Sequence, residues 1–350
     1  MKVRLVCYEN VGDWIVGKFA AKLNEGLLAL GVRSDIGQAA DPDADVNHHL
    51  LYLGYENRKT SLDTLMVTHI DSVHKMKLLR RQLESAALGI CMSRRTMTDL
   101  LAAGLRRDKL CVVHPAHDGH IKPRPLRVGI TCRTYADGRK REYFLEELCR
   151  RIGPADFRFW IMGRGWGTVV SAIRNLGFRV DYDEEFDSRR YESAIPDLDY
   201  FLYFGADEGS MGFIDALAAG VKTIVTSVGY QADLVEHITH PIAGVEDLVA
   251  AFTAIARERS RLTAPVAGWT WENYARKHLR IWEYLMSGRS GEYWSRHARE
   301  FPDGLASLNT EDSPRLKQRV RFLGRIVKNS LRQRWQRRIR RGSSAHEKKP

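Results

Sequence analysis

The pattern that most limits what this chain can become is a rhythm, run through twice, of short apolar runs separated by stretches of helical period. Within 1–120 the runs KVRLVCY, HHLLYLGY, TLMVTHI, LGICMS and KLCVVHP read as strands. Trp14, Ile15, Phe19, Leu23 and Leu27 fall at helical spacing before Gly31, and further helices are predicted around 72–87 and 94–104. GHIKPRPL, residues 119–126, has two prolines and no periodicity, as a linker would. The rhythm then restarts with LRVGITC, FRFWIMG, FRVDYD, DYFLYFG and KTIVTSV, with helices predicted near 141–152, 168–176, 211–220 and 245–258. Strands that alternate with helices need crossover connections and so form parallel sheets. The expectation is an α/β chain of two Rossmann-like domains, 1–120 and 121–270, facing each other across a cleft and binding ligands at the carboxyl ends of their strands. A length of 350 residues suits about two such domains.

The net charge of +12 points toward nucleic acid until it is located. Residues 315–350 hold 14 Lys and Arg and one acid, leaving 41 basic and 42 acidic residues in 1–314. The body is neutral and the excess belongs to a tail, which argues against nucleic acid as partner of the body. Five cysteines (Cys7, Cys91, Cys111, Cys132, Cys149) form no CxxC pair and read as reduced core thiols of a cytosolic protein. No apolar run approaches the ~18 residues of a spanning helix, and MKVRLVCYEN lacks a signal-peptide core.

The most informative stretch is DYFLYFGADEGSMGFIDALAAGVKTIVTSVGYQADLV, residues 199–235. A buried strand ends at Gly205, Asp207 and Glu208 follow, and the turn Gly209-Ser210-Met211-Gly212 opens a helix carrying Asp215. Glycines admit close approach of a ligand to the backbone, and free N–H groups at a helix start favour phosphate. Asp215, one turn in, is placed to accept hydrogen bonds from ribose hydroxyls.

This segment resembles the donor-binding segment of GT-B glycosyltransferases, in particular the large retaining family (glycosyl transferases group 1) marked by an acid, seven residues, a second acid and an alanine-rich helix. Asp215-Ala216-Leu217-Ala218-Ala219-Gly220-Val221 matches the second half; in the first, either Asp207 or Glu208 is the acid that contacts the donor sugar. Trp269 to Ala275, with the amphipathic run to Met286, is similar to the closing helix of that fold, 271–290, which returns to the N-terminal domain. Arg133 after LRVGITC, and Arg139 or Lys140 in the basic cluster beyond it, are similar to the side chains that clamp the diphosphate, with Arg164 as a further candidate. Gly12 occupies the place of a glycine near the transferred sugar, and the strand ending at Tyr182 would lie near the base.

The resemblance implies a metal-independent, cofactor-free transfer of a sugar from a nucleotide-sugar to an acceptor held by the N-terminal domain, with retention of configuration. Its implied catalytic residues are Arg133, Lys140, Asp207 and Glu208; Gly209, Ser210, Met211, Gly212 and Asp215 join the donor site. His69, at the end of TLMVTHI, has a side chain suited to acid–base work. No histidine pair has metal-binding helical spacing, Asp41-Pro42-Asp43-Ala44-Asp45 lacks the Gly and Glu of a calcium loop, and the glycines at 163 and 165 lack the rest of a dinucleotide fingerprint. The rival classes are a nucleotide-sugar epimerase of the same fold and a noncatalytic protein using its tail on nucleic acid.

In the basic tail, 291–350, Leu316, Val320, Leu323, Val327, Leu331 and Trp335 form one stripe on a predicted helix whose other faces are rich in Arg and Lys. That is the pattern of an interfacial helix, predicting attachment of 315–341 to an anionic membrane on its cytoplasmic face. The acceptor is then expected to be a lipid-linked glycan, as in surface polysaccharide or lipopolysaccharide synthesis.

Overall fold

A computed structural model of the chain describes residues 1–56, 62–297 and 322–333. It divides into two compact units, one made of Met1–Ile121 with the chain from Val266 onward, the other of Lys122–Pro265. In chain order the first unit begins with β1 (Lys2–Val6), α1 (Ile15–Ala29), β2 (Arg33–Gly37), β3 (Val46–His49), β4 (Asp63–Val67), α2 (Val73–Ser85), β5 (Leu88–Cys91), α3 (Arg94–Ala102) and β6 (Leu110–Val112). The second unit runs β7 (Leu126–Thr131), α4 (Tyr143–Arg151), β8 (Phe157–Met162), α5 (Gly167–Asn175), β9 (Arg179–Asp183), α6 (Ser188–Ala194), β10 (Tyr200–Tyr203), α7 (Met211–Ala218), β11 (Lys222–Thr226), β12 (His240–Ile242) and α8 (Val245–Thr263). The chain then returns to the first unit with α9 (Trp271–Met286), α10 (Gly291–His297) and a helix over 322–333, α11.

Each unit is a parallel six-stranded sheet, ordered β2-β1-β3-β4-β5-β6 in the first and β12-β11-β10-β7-β8-β9 in the second. The Rossmann-like α/β class expected from the sequence is the class observed. Both faces of each sheet are covered, as parallel sheets require. Along β4, Met66 packs with α1 and α9, while Leu65 and Val67 pack with α2 and α3. Along β8, Phe157, Phe159 and Ile161 meet α4, α5 and α8, whereas Trp160 and Met162 face the opposite cluster around Phe201 and Phe213.

Two strands escaped the sequence reading. β2 (RSDIG) and β12 (HPI) are edge strands, short and largely polar, so neither makes an apolar run. The stripe read into α1 is also shorter than expected. Phe19, Leu23 and Leu27 are buried, but Trp14 and Ile15 are 74% and 51% exposed and lie outside the core.

Helix α9 completes the first core. Ser72, Ser93 and Thr270 cap α2, α3 and α9, Thr270 Oγ1 accepting from Asn273 N at 3.2 Å at the head of α9. A Cβ added to Gly26 of α1 would stand 2.6 Å from Ala275 Cβ, so the two helices touch at their smallest residues. Farther along, His278 and Trp282 reach the sheet: His48 Nδ1 pairs with Thr64 Oγ1 at 3.0 Å, and Trp282 Nε1 donates to the same hydroxyl at 3.1 Å. The His48 and His278 rings, both fully buried, lie 5.1 Å apart.

α11 lies against α2 and α3 through Phe322 and Ile326, each 2% exposed, which belong to the cluster of Leu79, Met97 and Leu100. Arg325 reaches Asp99 at 2.6 Å, and Ser330 Oγ accepts from Val73 N at 3.0 Å. The predicted stripe is a different face: Leu323, Val327 and Leu331 are 37%, 48% and 60% exposed. Leu316, Val320 and Trp335 lie outside the described residues. No helix among the described residues is long and apolar enough to cross a membrane.

Burial pushes His278 down to about 4 and His48 well below its ordinary value. Between pH 6.5 and about 4 the unfolded chain therefore binds protons at these positions that the folded chain refuses, and stability falls as pH drops through that window. Urea unfolding at stepped pH checks this: His278→Gln should flatten the dependence by about one proton equivalent relative to the unsubstituted chain.

Candidate functional site in the second unit

β7 and β10 are neighbours, yet the chain leaves β7 toward β8 and β10 toward β11. Their loops diverge and open a crevice at the carboxyl end of the sheet, where doubly wound sheets bind ligands. A cavity of about 520 Å³ sits there, with Arg133 from the β7 loop, Arg164 after β8, Glu184 to Phe186 after β9, Tyr191 of α6, and Met211, Gly212 and Asp215 of α7 along its wall.

α7 can approach β7 because residue 212 has no side chain: a Cβ there would stand 2.2 Å from Thr131 Oγ1 and 2.7 Å from the Phe201 ring. No side chain caps α7; the Ser210 hydroxyl is turned instead to the Thr131 carbonyl at 3.4 Å. The first N–H groups of the helix, with their partial positive charge, thus stand beside the cavity. The half-buried Asp215 carboxylate accepts from the Tyr191 hydroxyl, and burial with this anion pushes the tyrosine pKa up. Arg133 is exposed and makes no hydrogen bond or ion pair with a described residue. Arg164 lies on the rim and binds Glu185 through two hydrogen bonds of 2.8 Å.

Of the residues singled out in the sequence, Arg133, Arg164, Met211, Gly212 and Asp215 share this cavity. Lys140 does not line it. Its ammonium, 8% exposed as a residue, sits 2.6 Å from Asp207 Oδ2 and 2.8 Å from the Tyr203 hydroxyl, which itself donates to Asp207. Burial raises the pKa of Asp207, but the ammonium and hydroxyl outweigh that and hold it below the usual carboxylate range. This group ties the β7 loop to the β10 loop, an attachment repeated by the Ala206 N–H to Arg139 carbonyl bond of 2.8 Å. The implied clamp role of Lys140 thus meets a side chain already engaged as a brace.

Arg139 stacks its guanidinium 4.0 Å over the Tyr135 ring, away from the cavity wall. Glu208 is exposed and Gly209, at φ +119°, forms the turn behind α7. Tyr182 packs against the cluster that holds Trp166 and is not part of the cavity wall. In the first unit, Gly12 lies in the β1–α1 loop, and His69 Nε2 is 3.1 Å from Lys75 Nζ. Among the described residues no group of three His, Cys, Asp or Glu side chains is arranged to hold a metal. The cysteines are all free, Cys132 at the cavity and the other four buried.

The wall residues that sequence reasoning missed include Glu184, Glu185, Phe186 and Tyr191. The signal was present: Glu184-Glu185-Phe186 directly follows the strand that ends at Asp183, and Phe186 is left 68% exposed, its ring 5.5 Å from that of Tyr191.

No family model and no curated protein matches the chain. Solved structures that align with it include glycosyltransferases. The Anabaena protein HepE in complex with UDP-glucose is 14% identical, covering 82% of this chain and 100% of its own, at a TM-score of 0.33. WaaG, a glycosyltransferase involved in lipopolysaccharide biosynthesis, is 12% identical, with coverages of 86% and 98% and a TM-score of 0.32. The catalytic domain of cholesterol-alpha-glucosyltransferase from Helicobacter pylori is 11% identical, with coverages of 43% and 98% and a TM-score of 0.31. Superpositions this loose carry no weight for function, which has to be read from the site.

The brace and the cavity wall should separate experimentally. Lys140→Ala takes from Asp207 its nearest cation, leaving it the Tyr203 hydroxyl and Arg139 at 3.8 Å. Losing one partner of a buried pair costs about 3–5 kcal/mol, lowered here to roughly 1–3 because the carboxylate is 25% exposed. Arg133→Ala should stay within about 0.5 kcal/mol of the parent. Equal Tm values for the two variants would refute the brace.

Proposed function

We propose that the protein is a glycosyltransferase that takes its sugar from a nucleotide-sugar bound in the second unit. The observation that carries this reading is the convergence on one cavity of three groups: an uncapped helix start at Met211-Gly212, an uncommitted Arg133 and the Asp215 carboxylate. Helix N–H groups and a guanidinium are the chemistry of a diphosphate site, and they stabilise the charge that develops on a nucleoside diphosphate as it leaves. Asp215, held by Tyr191, is suited to ribose hydroxyls, and the exposed face of Phe186 to a base. With these donors the leaving group needs no metal, and the transfer in this reading proceeds with retention.

The finer reading adds a lipid-linked glycan acceptor and a peripheral position on the cytoplasmic face of a membrane. It is supported by the tail, whose exposed Leu323, Val327 and Leu331 are interspersed with Arg and Lys.

Calorimetry with UDP-, GDP- and CMP-sugars tests the donor site. Asp215→Ala should weaken the sugar nucleotide that binds by about 10- to 150-fold, the equivalent of roughly 1.5–3 kcal/mol per hydrogen bond to a charged acceptor. An unchanged affinity in folded Asp215→Ala would refute the assignment, and turnover of the donor without any acceptor would indicate epimerisation instead.

Co-sedimentation tests the membrane position. The full chain should pellet with anionic vesicles at low salt, and a variant with Leu323, Val327 and Leu331 all changed to Ser, which leaves Phe322 and Ile326 in the core, should not. A variant that pellets equally would remove the exposed stripe of the tail as anchor.

A further inference from the structure

The first unit has a switch point of its own. β1 lies between β2 and β3, and the chain leaves β1 toward β2 but β3 toward β4, so the crevice falls beside the loop that follows β1. That loop ends in Trp14, at 74% the most exposed of the large apolar side chains given above, with Val11 and Ile15 also open to solvent at 38% and 51%. An indole left this exposed, in a chain whose other tryptophans include three that are fully buried (Trp160, Trp166 and Trp282), is the kind of feature a ligand surface explains.

Trp14 borders two hollows of opposite character. One, of about 440 Å³, is walled mainly by Val11, Gly12, Trp14 and Ile15, with Asp13 and Lys18 also on its lining. The other, of about 590 Å³, is walled by Tyr8, Glu9, Asn10, Asp13 and Gln38 together with the same indole. Its polar groups are presented as an array: Asn10 Nδ2 donates to Asp13 Oδ2 at 2.9 Å, and the Tyr8 hydroxyl is fixed by His49 Nδ1 at 2.7 Å. Carboxylates and amides beside an aromatic face can bind sugar hydroxyls while the ring covers the apolar face of the pyranose. The neighbouring wall of Val11 and Ile15 offers such a molecule apolar contact, with the charged Asp13 and Lys18 at its border.

We propose that this loop seats an amphiphile, with a glycosyl headgroup in the polar hollow, an alkyl chain in the apolar one and Trp14 between them. As the acceptor of the reaction, this assignment rests on the glycosyltransferase reading; as a binding site it stands on the loop alone. The polar hollow selects the sugar and the apolar hollow requires the chain, so neither half of the molecule binds well by itself.

Saturation-transfer NMR and calorimetry on the full chain can test this with octyl β-D-glucopyranoside and octyl β-D-galactopyranoside below their micelle concentrations, against the methyl glycosides and 1-octanol. At least one octyl glycoside should bind tenfold or more tightly than its methyl glycoside and than octanol, since burying two methylenes already corresponds to roughly tenfold. Trp14→Ala should abolish the preference, Ile15→Ser should reduce it, and neither should move Tm, because both side chains are exposed. Octanol binding as well as the glycosides would leave only an apolar patch, a methyl glycoside binding equally would leave only a sugar site, and an indifferent Trp14→Ala would place binding elsewhere; each overturns the proposal, as does failure of both octyl glycosides. Loss of vesicle sedimentation in Trp14→Ala with amphiphile binding intact would assign the indole to a bilayer and overturn it too. Nucleotide-sugar binding measured in the same samples reports on the donor site independently.

Discussion

A parallel sheet must be covered on both faces, and in this chain that requirement governs everything else. Helices occupy the faces, so only the strand ends are left open to ligands, and the carboxyl ends carry the loops where chain direction diverges. The second sheet fixes the candidate site between β7 and β10, and the first places its exposed indole beside β1 by the same rule. Geometry selects the location before any side chain contributes chemistry.

What the side chains add at β7 and β10 is a division of labour. Lys140, Asp207 and Tyr203 join the two loops and are largely withdrawn from solvent, whereas Arg133 and Asp215 keep their polar groups toward the cavity. Loops that carry a binding site are otherwise among the least stable parts of a fold. An ion pair with a hydroxyl between the partners limits the motion that would blur the cavity wall.

Much of this was legible in the sequence. Central strands of a parallel sheet are apolar on both faces, so most of them announce themselves as apolar runs, although HHLLYLGY overlaps β3 only at His48 and His49, and the glycine turn before Asp215 marks a helix start. Of the four edge strands, β6 and β9 carry enough apolar residues to be read, but β2 and β12 do not, because an edge needs neither length nor apolar character. Nor was the fate of Lys140, since sequence spacing places a base near a turn but does not say whether a carboxylate and a phenol are waiting for it. The tail shows the same limit: spacing identified one apolar face of α11, while Phe322 and Ile326, on another, are the ones that pack into the core.

The first unit is discontinuous, and this orders the birth of the protein. Its core contains Tyr274, Leu279 and Trp282 of α9 beside Val3, Leu5 and Leu23, so the residues made first wait for residues made more than two hundred positions later. Lys122–Pro265, by contrast, is contiguous and holds its own core. Domains fold as units as they emerge from synthesis. Here the interior of the chain can close while its beginning is still open, leaving the apolar face of β1 and α1 as the stretch most in need of a chaperone until α9 arrives.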